Sequence, residues 1–422
     1  MSPRSKPQMN RMLPRRITAA VEAALADTRV VLVNGARQAG KSTLVRAIAS
    51  GMGAEWRNLD RAVTRNAAEL DPTEFVAGPG PLVIDEIQRV PSLMLAIKEV
   101  VDTDPLPGRF LLTGSSRVLG LRGLPDTLPG RMETIELWPF SQGEIDGTPD
   151  SFIDAVFAHG HRLRHESTEP RAGYATRIVR GGFPEAVTRA DPRRREKFLD
   201  SYVADLVNRD VVQLSEIERG AEMRALIRLI AARSGGLLVP GALSNQLGLA
   251  RNTVTRYLSL LEEVFLIKRI PAWSRNLNSR AVGTVKVSMV DSGIAANLLD
   301  IDEGTLLRPD GPFGPLLEGF VLMELARQLE WSDHRAELYH YRTKDGVEVD
   351  AVLEDRRGQV IAIEVKAAST VHESDLRGLR HLADRVGDDL LAGIVLYTGT
   401  QTLPFGPRML AMPVSALWEA GP

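Results

Sequence analysis

The sequence lacks cysteine and has no long apolar run. Without a thiol, a disulfide scaffold, a thiolate zinc site, an iron–sulfur cluster and a cysteine nucleophile are all excluded. No stretch approaches the ~18 apolar residues that a membrane span needs, and no apolar signal-peptide core follows the basic N-terminus. We therefore expect a cytoplasmic protein that does not enter the membrane. Any metal ion must be held by oxygen ligands, which favours Mg²⁺.

The chain also lacks a net charge of either sign. Its 52 basic and 54 acidic side chains leave a formal charge of −2, which argues against a protein that is basic throughout. The charge is nevertheless uneven, because residues 1–50 sum to +7 and residues 171–280 to +8. We interpret residues 1–16 as a basic N-terminal arm.

Length and composition predict a globular protein of two or three domains, with 422 residues of which 44% are hydrophobic and 25% charged. Short apolar strands alternate with helical stretches over residues 17–150, which indicates an α/β domain with a buried parallel sheet. Helical periodicity dominates residues 151–300. Residues 301–422 return to mixed α/β structure with several strands.

A complete phosphate-binding motif, G-x-x-x-x-G-K-[ST], lies between the first apolar strand and a helix. Lys41 is expected to reach the β- and γ-phosphates of ATP, and Ser42 to bind Mg²⁺. The backbone and the helix N-terminus would hold the phosphate oxygens. The predicted ATP-binding residues are Gly35, Ala36, Arg37, Gln38, Ala39, Gly40, Lys41, Ser42 and Thr43.

Two later strand ends carry the residues that would complete the site. Asp85 would hold Mg²⁺ and Glu86 would orient the attacking water, although the pair is also a plausible cap for the following helix. Thr113, or Ser115 two residues on, would sense the γ-phosphate, unless this segment is simply a polar turn. An arginine from a neighbouring subunit would stabilise the transition-state charge. Arg131 is our first choice, ahead of the residues Arg117 and Arg122.

These motifs resemble the AAA-type ATPase module. The quoted segments are Gly35–Ser42, Ile84-Asp85-Glu86-Ile87-Gln88 and Leu112-Thr113-Gly114-Ser115. More narrowly, Gly181-Gly182-Phe183-Pro184-Glu185 and the stretch from Tyr202 to Arg209-Asp210 resemble prokaryotic AAA-type ATPases that carry a C-terminal domain of unknown function. The resemblance implies ATP hydrolysis and assembly into a homo-oligomer, often a ring.

A helix–turn–helix pattern spans residues 241–263, and a candidate wing strand follows it. The N-terminal part of its second helix would present a polar set to DNA in a winged-helix arrangement. This set is Arg251, Asn252, Thr255 and Arg256. Few aromatic residues lie here, which argues against base stacking as the main mode. The alternative is a winged helix that serves as a lid or docks a protein.

Acidic residues on two strands near the C-terminus suggest a further site. Asp350 and Glu364 could share a divalent cation, with Lys366 on the same strand face as Glu364 and Glu318 on the preceding helix. The set resembles the core of the PD-(D/E)xK, restriction-endonuclease-like fold. The alternative is an inherited nuclease-like fold that does not cleave.

Taken together, the sequence predicts an ATP-hydrolysing, DNA-binding motor or remodeller, in a role such as DNA repair or branched-DNA processing. One alternative is a nucleotide-gated switch that binds a protein partner. Another is an ATP-regulated, metal-dependent DNA nuclease.

Overall fold

The computed structural model describes residues 13–116, 128–211, 220–276, 280 and 283–421. The first domain contains strands β1 (Val30–Asn34), β2 (Glu55–Asn58), β3 (Leu82–Asp85), β4 (Phe110–Gly114) and β5 (Met132–Glu136). Its helices are Thr18–Asp27, Lys41–Met52, Ala62–Leu70, Pro72–Val76 and Leu93–Thr103, with a 3₁₀ turn at Ile87–Arg89.

The five described strands form a parallel sheet in the order β2-β3-β4-β1-β5. The strands β1, β3 and β4 are buried along their whole length, which explains their apolar sequences. Separate apolar clusters lie on the two faces, one around Val30 and Leu32 and the other around Val31 and Val33. The carboxyl ends of β1, β2, β3 and β4 therefore meet at one edge. The predicted parallel α/β domain is confirmed.

The middle of the chain is mainly helical. Its helices are Gln142–Asp146, Phe152–His159, Arg171–Arg180, Pro184–Val187, Pro192–Asp205, Gly220–Ala231, Pro240–Leu247, Arg251–Glu263, Ser292–Leu298 and Glu303–Leu306. A 3₁₀ turn spans Gly160–Arg162 and a π-helical turn spans Leu206–Val211. Strands β6 (Ile267–Ile270) and β7 (Lys286–Met289) form an antiparallel hairpin.

The C-terminal part is a mixed sheet with helices. Its strands are β8 (Ala336–Arg342), β9 (Glu348–Asp355), β10 (Val360–Lys366), β11 (Leu390–Tyr397), β12 (Leu403–Pro404) and β13 (Met409–Pro413). Its helices are Phe313–Gln328, Arg377–Val386 and Ala416–Glu419, with 3₁₀ turns at Glu373–Leu376 and Gly387–Asp389. Among the described residues the sheet order is β12-β13-β11-β10-β9-β8.

The three parts interlock through one large apolar cluster. This cluster runs from Ala36 in the phosphate loop to Ala420 near the C-terminus. The fully buried Trp418 packs edge-on against Tyr174 and Phe320, which come from the middle and C-terminal parts. The backbone N–H of Asp150 donates to the Trp418 carbonyl at 3.0 Å. The segment around residue 150 is thus packed against the end of the chain, and the boundaries set from sequence remain predictions.

The described end of the basic arm is part of the folded structure. Arg15 donates to Glu144 Oε1 at 3.0 Å, to the Ala39 carbonyl at 2.9 Å and to the Trp138 carbonyl at 2.6 Å. Arg16 donates through its backbone N–H to the same Glu144 carboxylate at 2.8 Å. Residues 1–12 of the predicted arm lie outside the described residues. Arg15 therefore ties the chain's N-terminal segment to the phosphate loop.

A buried carboxyl group lies next to this junction. Asp150 accepts from Ser141 Oγ at 2.5 Å and from Gln328 Nε2 at 3.2 Å, and no part of the residue is exposed. Burial, reinforced by the nearby Glu324 and Glu144 carboxylates, raises the pKa of Asp150 to about 8. At neutral pH the folded protein therefore holds a proton on Asp150 that the unfolded chain releases.

We predict that Asp150→Asn flattens the pH dependence of stability. The folded protein keeps its proton on Asp150 up to a pKa of about 8, against an ordinary value of 3.8 in the unfolded chain. The free energy of unfolding should thus fall as pH rises from about 4 to 8, by an amount on the order of a few kcal/mol. The asparagine variant should lose this slope, as measured by urea unfolding across that range. Asp310→Asn, in an exposed loop, is the control, and equal slopes for wild type and Asp150→Asn would contradict the assignment.

Candidate nucleotide site and its surroundings

The predicted phosphate loop connects β1 to the helix Lys41–Met52. Gly40 has a left-handed backbone with φ of 100°, which favours glycine over any residue with a side chain. A Cβ atom on Gly35 would lie 2.1 Å from the Leu137 carbonyl oxygen, so only glycine fits there too. Both motif glycines are therefore required by the local backbone.

The Lys41 side chain is turned back into its own loop. It is 4% exposed, and its ammonium group donates to the carbonyls of Gly35 and Ala36, both at 2.9 Å. These contacts hold a cation at the mouth of the loop. A bound phosphate would offer the ammonium anionic oxygens in place of the carbonyl groups.

Asp85 is the centre of a polar cluster where the strands end. Its Oδ1 accepts from Ser42 Oγ at 3.0 Å and from Thr113 Oγ1 at 2.6 Å, and its Oδ2 accepts from Asn58 Nδ2 at 3.1 Å. Burial raises the pKa of Asp85, against the effect of these hydrogen bonds. The hydroxyl of Ser42 and the carboxylate of Asp85 are oxygen ligands of the type that Mg²⁺ prefers. The two groups are adjacent, so they fit a role in holding that ion beside a nucleotide.

Glu86 follows in a left-handed backbone conformation with φ of 61°. This turns it away from the strand, and its carboxylate accepts a hydrogen bond from Gln88. Burial alone would raise the pKa of Glu86, but the Lys41 ammonium, Gln88, Ser115 and Arg37 outweigh it and lower that pKa. Glu86 is therefore held ionised close to Lys41. An ionised carboxylate in this position is suited to accept a hydrogen bond from water.

Thr113 lies at the site and is hydrogen-bonded to both acids. It is fully buried, donates to Asp85 and accepts from the Glu86 backbone N–H at 2.9 Å. Both hydrogen-bonding functions of the hydroxyl are therefore used inside the protein. Thr113 therefore positions the two acids, and its expected role in sensing the γ-phosphate stays a prediction. Ser115 is linked to the Glu86 carboxylate through Gln88, whose Nε2 donates to both and lies 2.7 Å from Ser115 Oγ.

The sequence pattern did not single out Asn58 or Gln88 for a role. Asn58 ends β2, the strand beside β3, and Gln88 lies in the turn after β3. The rule that parallel strands present their carboxyl ends at one edge could have located Asn58. Sequence spacing carries no comparable signal for Gln88, because its contacts depend on the tight turn at Glu86.

Arg131 lies away from the phosphate loop of its own chain. It precedes β5, and its carbonyl accepts from the N–H of Val30, at the opposite end of β1. Its guanidinium group pairs with Asp102 on the surface. Contact with a phosphate would thus have to come from a neighbouring subunit, and that role stays a prediction. Arg117 and Arg122 lie outside the described residues.

The middle of the chain covers the phosphate loop. A cleft of about 550 Å³ has Lys41, Ser42 and Glu86 on one side, and Pro184, Glu185 and Arg189 on the other. Arg189 donates to the Glu185 carboxylate at 2.6 Å and lies 4.6 Å from the centre of the Phe198 ring. A more apolar cavity of about 400 Å³ continues past Gly40. Its lining includes Leu13, Pro14, Thr18, Leu44, Phe140 and Thr188.

The Gly181-Gly182-Phe183-Pro184-Glu185 signature, to which the sequence assigned no chemistry, forms this cover. The N–H of Gly182 donates to Asp291 Oδ2 at 2.7 Å, and its carbonyl accepts from the Phe140 N–H at 2.8 Å. A Cβ atom on Gly182 would lie 2.1 Å from the Phe140 carbonyl oxygen, and one on Gly181 would lie 2.2 Å from the Asp291 carboxylate. The two glycines let this turn approach the loop closely enough to place Pro184 over it.

The helix–turn–helix pattern corresponds to the helices Pro240–Leu247 and Arg251–Glu263. The buried face of the second helix includes Val254, Leu258 and Leu261. The predicted DNA-binding set Arg251, Asn252, Thr255 and Arg256 is exposed on the other side. Leu237 forms an isolated bridge to Lys286, so a short strand-like segment lies before the first helix and beside the β6–β7 hairpin.

The connection between β6 and β7 is docked on the C-terminal sheet. Ala272 bridges to His340 in β8, and the N–H of Trp273 donates to the His340 carbonyl at 2.6 Å. Arg280 pairs with Glu354 at 2.5 Å and Arg275 with Asp389 at 2.8 Å. The described residues of this connection therefore contact the C-terminal sheet.

The structure brings the predicted C-terminal acidic residues together. Asp350 and Glu364 lie one step beyond the Ala351–Ile363 pair of the antiparallel strands β9 and β10. Lys366 donates to Glu364 Oε1 at 3.0 Å. Glu318 is joined to Asp350 by a residue that the sequence pattern did not suggest, Lys286. Within the described ranges, no three acidic or histidine side chains are grouped so that they could hold a metal ion.

Three families of known proteins match three successive segments of the chain. Residues 27–146 match the family described as an AAA domain. Residues 171–305 and 313–417 match two families described as domains of unknown function, DUF8612 and DUF4143. Residues 27–146 are therefore similar to AAA domains, which supports the predicted P-loop ATPase domain.

Relatives extend over most of the chain. An uncharacterized protein of Mycobacterium tuberculosis is 29% identical over 416 residues, covering 97% of this chain and 86% of that protein. One of Haemophilus influenzae is 24% identical over 321 residues, covering 74% and 72%. Among solved structures, the Walker-type ATPase of Pyrococcus abyssi aligns at 15% identity with a TM-score of 0.42, covering 70% of this chain and 98% of that one. None of the helices in the described ranges has the length and apolarity needed to cross a bilayer.

We predict that Thr113→Val lowers stability by about 1–3 kcal/mol, because it removes one of the two donors to Asp85 Oδ1 and leaves the Glu86 N–H without its partner. Thr113→Ser keeps the hydroxyl and should lose less than half as much. Urea unfolding of both variants measures the difference. A loss with serine as large as the loss with valine would contradict the assignment, because serine keeps the hydroxyl and lacks only the methyl group.

Proposed function

We propose that this protein binds ATP with Mg²⁺ and hydrolyses it to ADP and phosphate. The observation that carries the proposal is the cleft at the carboxyl edge of a parallel sheet that Lys41, Ser42 and Glu86 line, with the buried Asp85 hydrogen-bonded to Ser42. Lys41 would bind the β- and γ-phosphates, and Ser42 with Asp85 would hold Mg²⁺, which would neutralise phosphate charge. Glu86 would orient the attacking water.

We further propose that nucleotide occupancy is sensed by the cover over the loop. Arg189 is a cation on the cleft wall opposite Glu86, and it is held by Glu185 and Phe198. A γ-phosphate would attract this guanidinium group and weaken its pairing with Glu185. Movement of the segment Pro184–Arg189 would then reach the middle of the chain directly.

The output we favour is DNA binding by the helix Arg251–Glu263, which would make the protein a DNA-binding motor or remodeller. The exposed polar set on its first turns and the charge of +8 over residues 171–280 support this. Assembly into a homo-oligomeric ring, with Arg131 acting across subunits, belongs to the same proposal. A cytoplasmic role in processing branched DNA would fit it.

The docked β6–β7 connection supports a second candidate, a nucleotide-gated switch that binds a protein. In DNA-binding winged helices the wing is available to the nucleic acid, whereas here it contacts β8. The exposed helix face alone would then serve a protein partner. DNA affinity and its salt dependence distinguish the two candidates.

For the ATPase site we predict opposite defects in two variants. Lys41→Ala should weaken ATP binding by about tenfold or more, because it removes the cation at the phosphates. Glu86→Gln should leave binding intact and lower the hydrolysis rate by about 100-fold or more. Binding is measured with a fluorescent ATP analogue and turnover by phosphate release. Glu55→Gln, on the same sheet but exposed, is the control, and unchanged turnover in Glu86→Gln would refute the assigned role.

For DNA we predict binding whose log K falls linearly with log salt. Arg251→Ala and Arg256→Ala should each reduce the slope by about 0.9 if each contacts one phosphate of a duplex. Arg308→Ala, exposed outside the helix pair, should leave it unchanged. Fluorescence anisotropy with single-stranded, duplex and branched DNA measures these slopes. Affinity that does not vary with salt would remove the DNA proposal and favour the protein-binding switch.

A further inference from the structure

The acidic cluster of the C-terminal part already contains a cation. Lys286, at the start of β7, is 2% exposed, and its ammonium nitrogen lies 2.5 Å from Glu318 Oε1 and 2.9 Å from Asp350 Oδ1. The two carboxylates come from the helix Phe313–Gln328 and from β9, so Lys286 joins three elements. Burial by itself would lower the pKa of Lys286, but the Asp350 and Glu318 carboxylates outweigh it and raise that pKa.

The remaining atoms of the cluster are arranged around this ammonium group. Asp350 Oδ2 accepts from the Val365 N–H at 2.9 Å, so each of its oxygens has one partner. Glu364 accepts from Lys366 through Oε1, while its Oε2 is buried and has no hydrogen-bond partner among the described residues. Three carboxylates thus share two ammonium groups, and one buried acceptor is still unsatisfied.

The position of Lys286 is set by its backbone and not by the carboxylates alone. The β7 backbone is held by β6 through the Ile270–Lys286 pair and by the bridge to Leu237 on its other side. Gly235, with φ of +87°, packs against Glu318, and a Cβ there would lie 3.1 Å from that side chain. The fold therefore positions both the Lys286 ammonium group and the Glu318 carboxylate. Because the ammonium group belongs to the chain, it stays beside the carboxylate as long as the protein is folded.

We propose that Lys286 takes the place of a divalent cation in this cluster. Its ammonium group occupies the position on which Glu318 Oε1 and Asp350 Oδ1 converge and where a divalent ion would otherwise bind, and it fastens the β6–β7 hairpin to the C-terminal sheet. The intact protein consequently binds no metal ion at these carboxylates and does not cleave phosphodiesters there. The cluster is a latent metal site that opens when the lysine is removed.

The physical reason is competition for the same oxygens. A divalent ion needs several oxygen ligands at close range. The Lys286 ammonium group lies where such an ion would bind, and its positive charge would repel the ion. The Lys286 ammonium group is part of the chain and is buried. Unlike a bound metal ion, it therefore cannot dissociate into the solvent. Replacing Lys286 by alanine leaves the Glu318 and Asp350 carboxylates converging on a vacated cation position, and this uncompensated charge favours Mn²⁺ or Mg²⁺ binding there.

The first test compares wild type with Asp350→Asn, both full-length and free of nucleotide. Mn²⁺ binding is followed by calorimetry, and any contribution from the phosphate loop is common to both proteins. We expect identical Mn²⁺ binding and no Mn²⁺- or Mg²⁺-dependent cleavage of circular DNA by either. Mn²⁺ binding or DNA cleavage by wild type that Asp350→Asn abolishes would overturn the proposal.

The second test uses Lys286→Ala, which should gain one equivalent of bound Mn²⁺ over wild type. At about 100 times the dissociation constant, Mn²⁺ should raise its Tm by about 3 °C more than it raises that of wild type. The double variant Lys286→Ala, Asp350→Asn should lose both effects. A folded Lys286→Ala protein that binds no more Mn²⁺ than wild type would refute the latent site. If Lys286→Ala does not fold, the first test still decides whether the intact protein excludes metal ions, because it does not use that variant.

Discussion

The folded structure depends on one buried arginine. Arg15 binds the Ala39 carbonyl of the phosphate loop, the Trp138 carbonyl and the Glu144 carboxylate. A buried guanidinium group is stable only when nearly every donor has a partner, so these contacts must form together. The N-terminal segment, the phosphate loop and the segment after β5 are therefore held in one arrangement. Residues on that last segment then contact the C-terminal part, since the Gln142 N–H donates to Glu324.

A second buried arginine connects the three parts of the chain in the same way. Arg327, on the helix that bears Glu324, donates to the Pro139 and Val290 carbonyls, so the C-terminal part is bonded to both the first domain and the middle. The β6–β7 connection adds a second attachment to the C-terminal sheet, ending at Lys286. In contrast, the cover formed by Pro184, Glu185 and Arg189 faces an open cleft. We infer that nucleotide-dependent movement is concentrated at this cover.

Acidic residues illustrate how similar side chains acquire different roles. Asp85 is surrounded by hydroxyl and amide donors next to Lys41, which suits an ion beside a nucleotide. Asp150 lies near other carboxylates and holds a proton, because burial and these carboxylates outweigh the effect of Arg16 on its pKa. Asp350 is neutralised by Lys286, which comes from a different part of the chain. Composition predicted oxygen ligands for any metal, but the neighbours decide whether a metal, a proton or an ammonium group is bound.

Local patterns in the sequence were sufficient for the parallel sheet, the phosphate loop with Lys41 and Ser42, and the acids Asp85 and Glu86. These features depend on short-range rules, namely apolar strands, glycine geometry and the common edge of parallel strands. Tertiary structure alone decided the roles of Thr113, Arg15, Pro184 and Lys286. The hydrogen-bond partners of Arg15 lie 24 to 129 residues away in the sequence, and those of Lys286 lie 32 and 64 residues away. No rule of sequence spacing connects positions so far apart. Burial then fixed the outcome, because a desolvated charge takes the partner that the fold supplies.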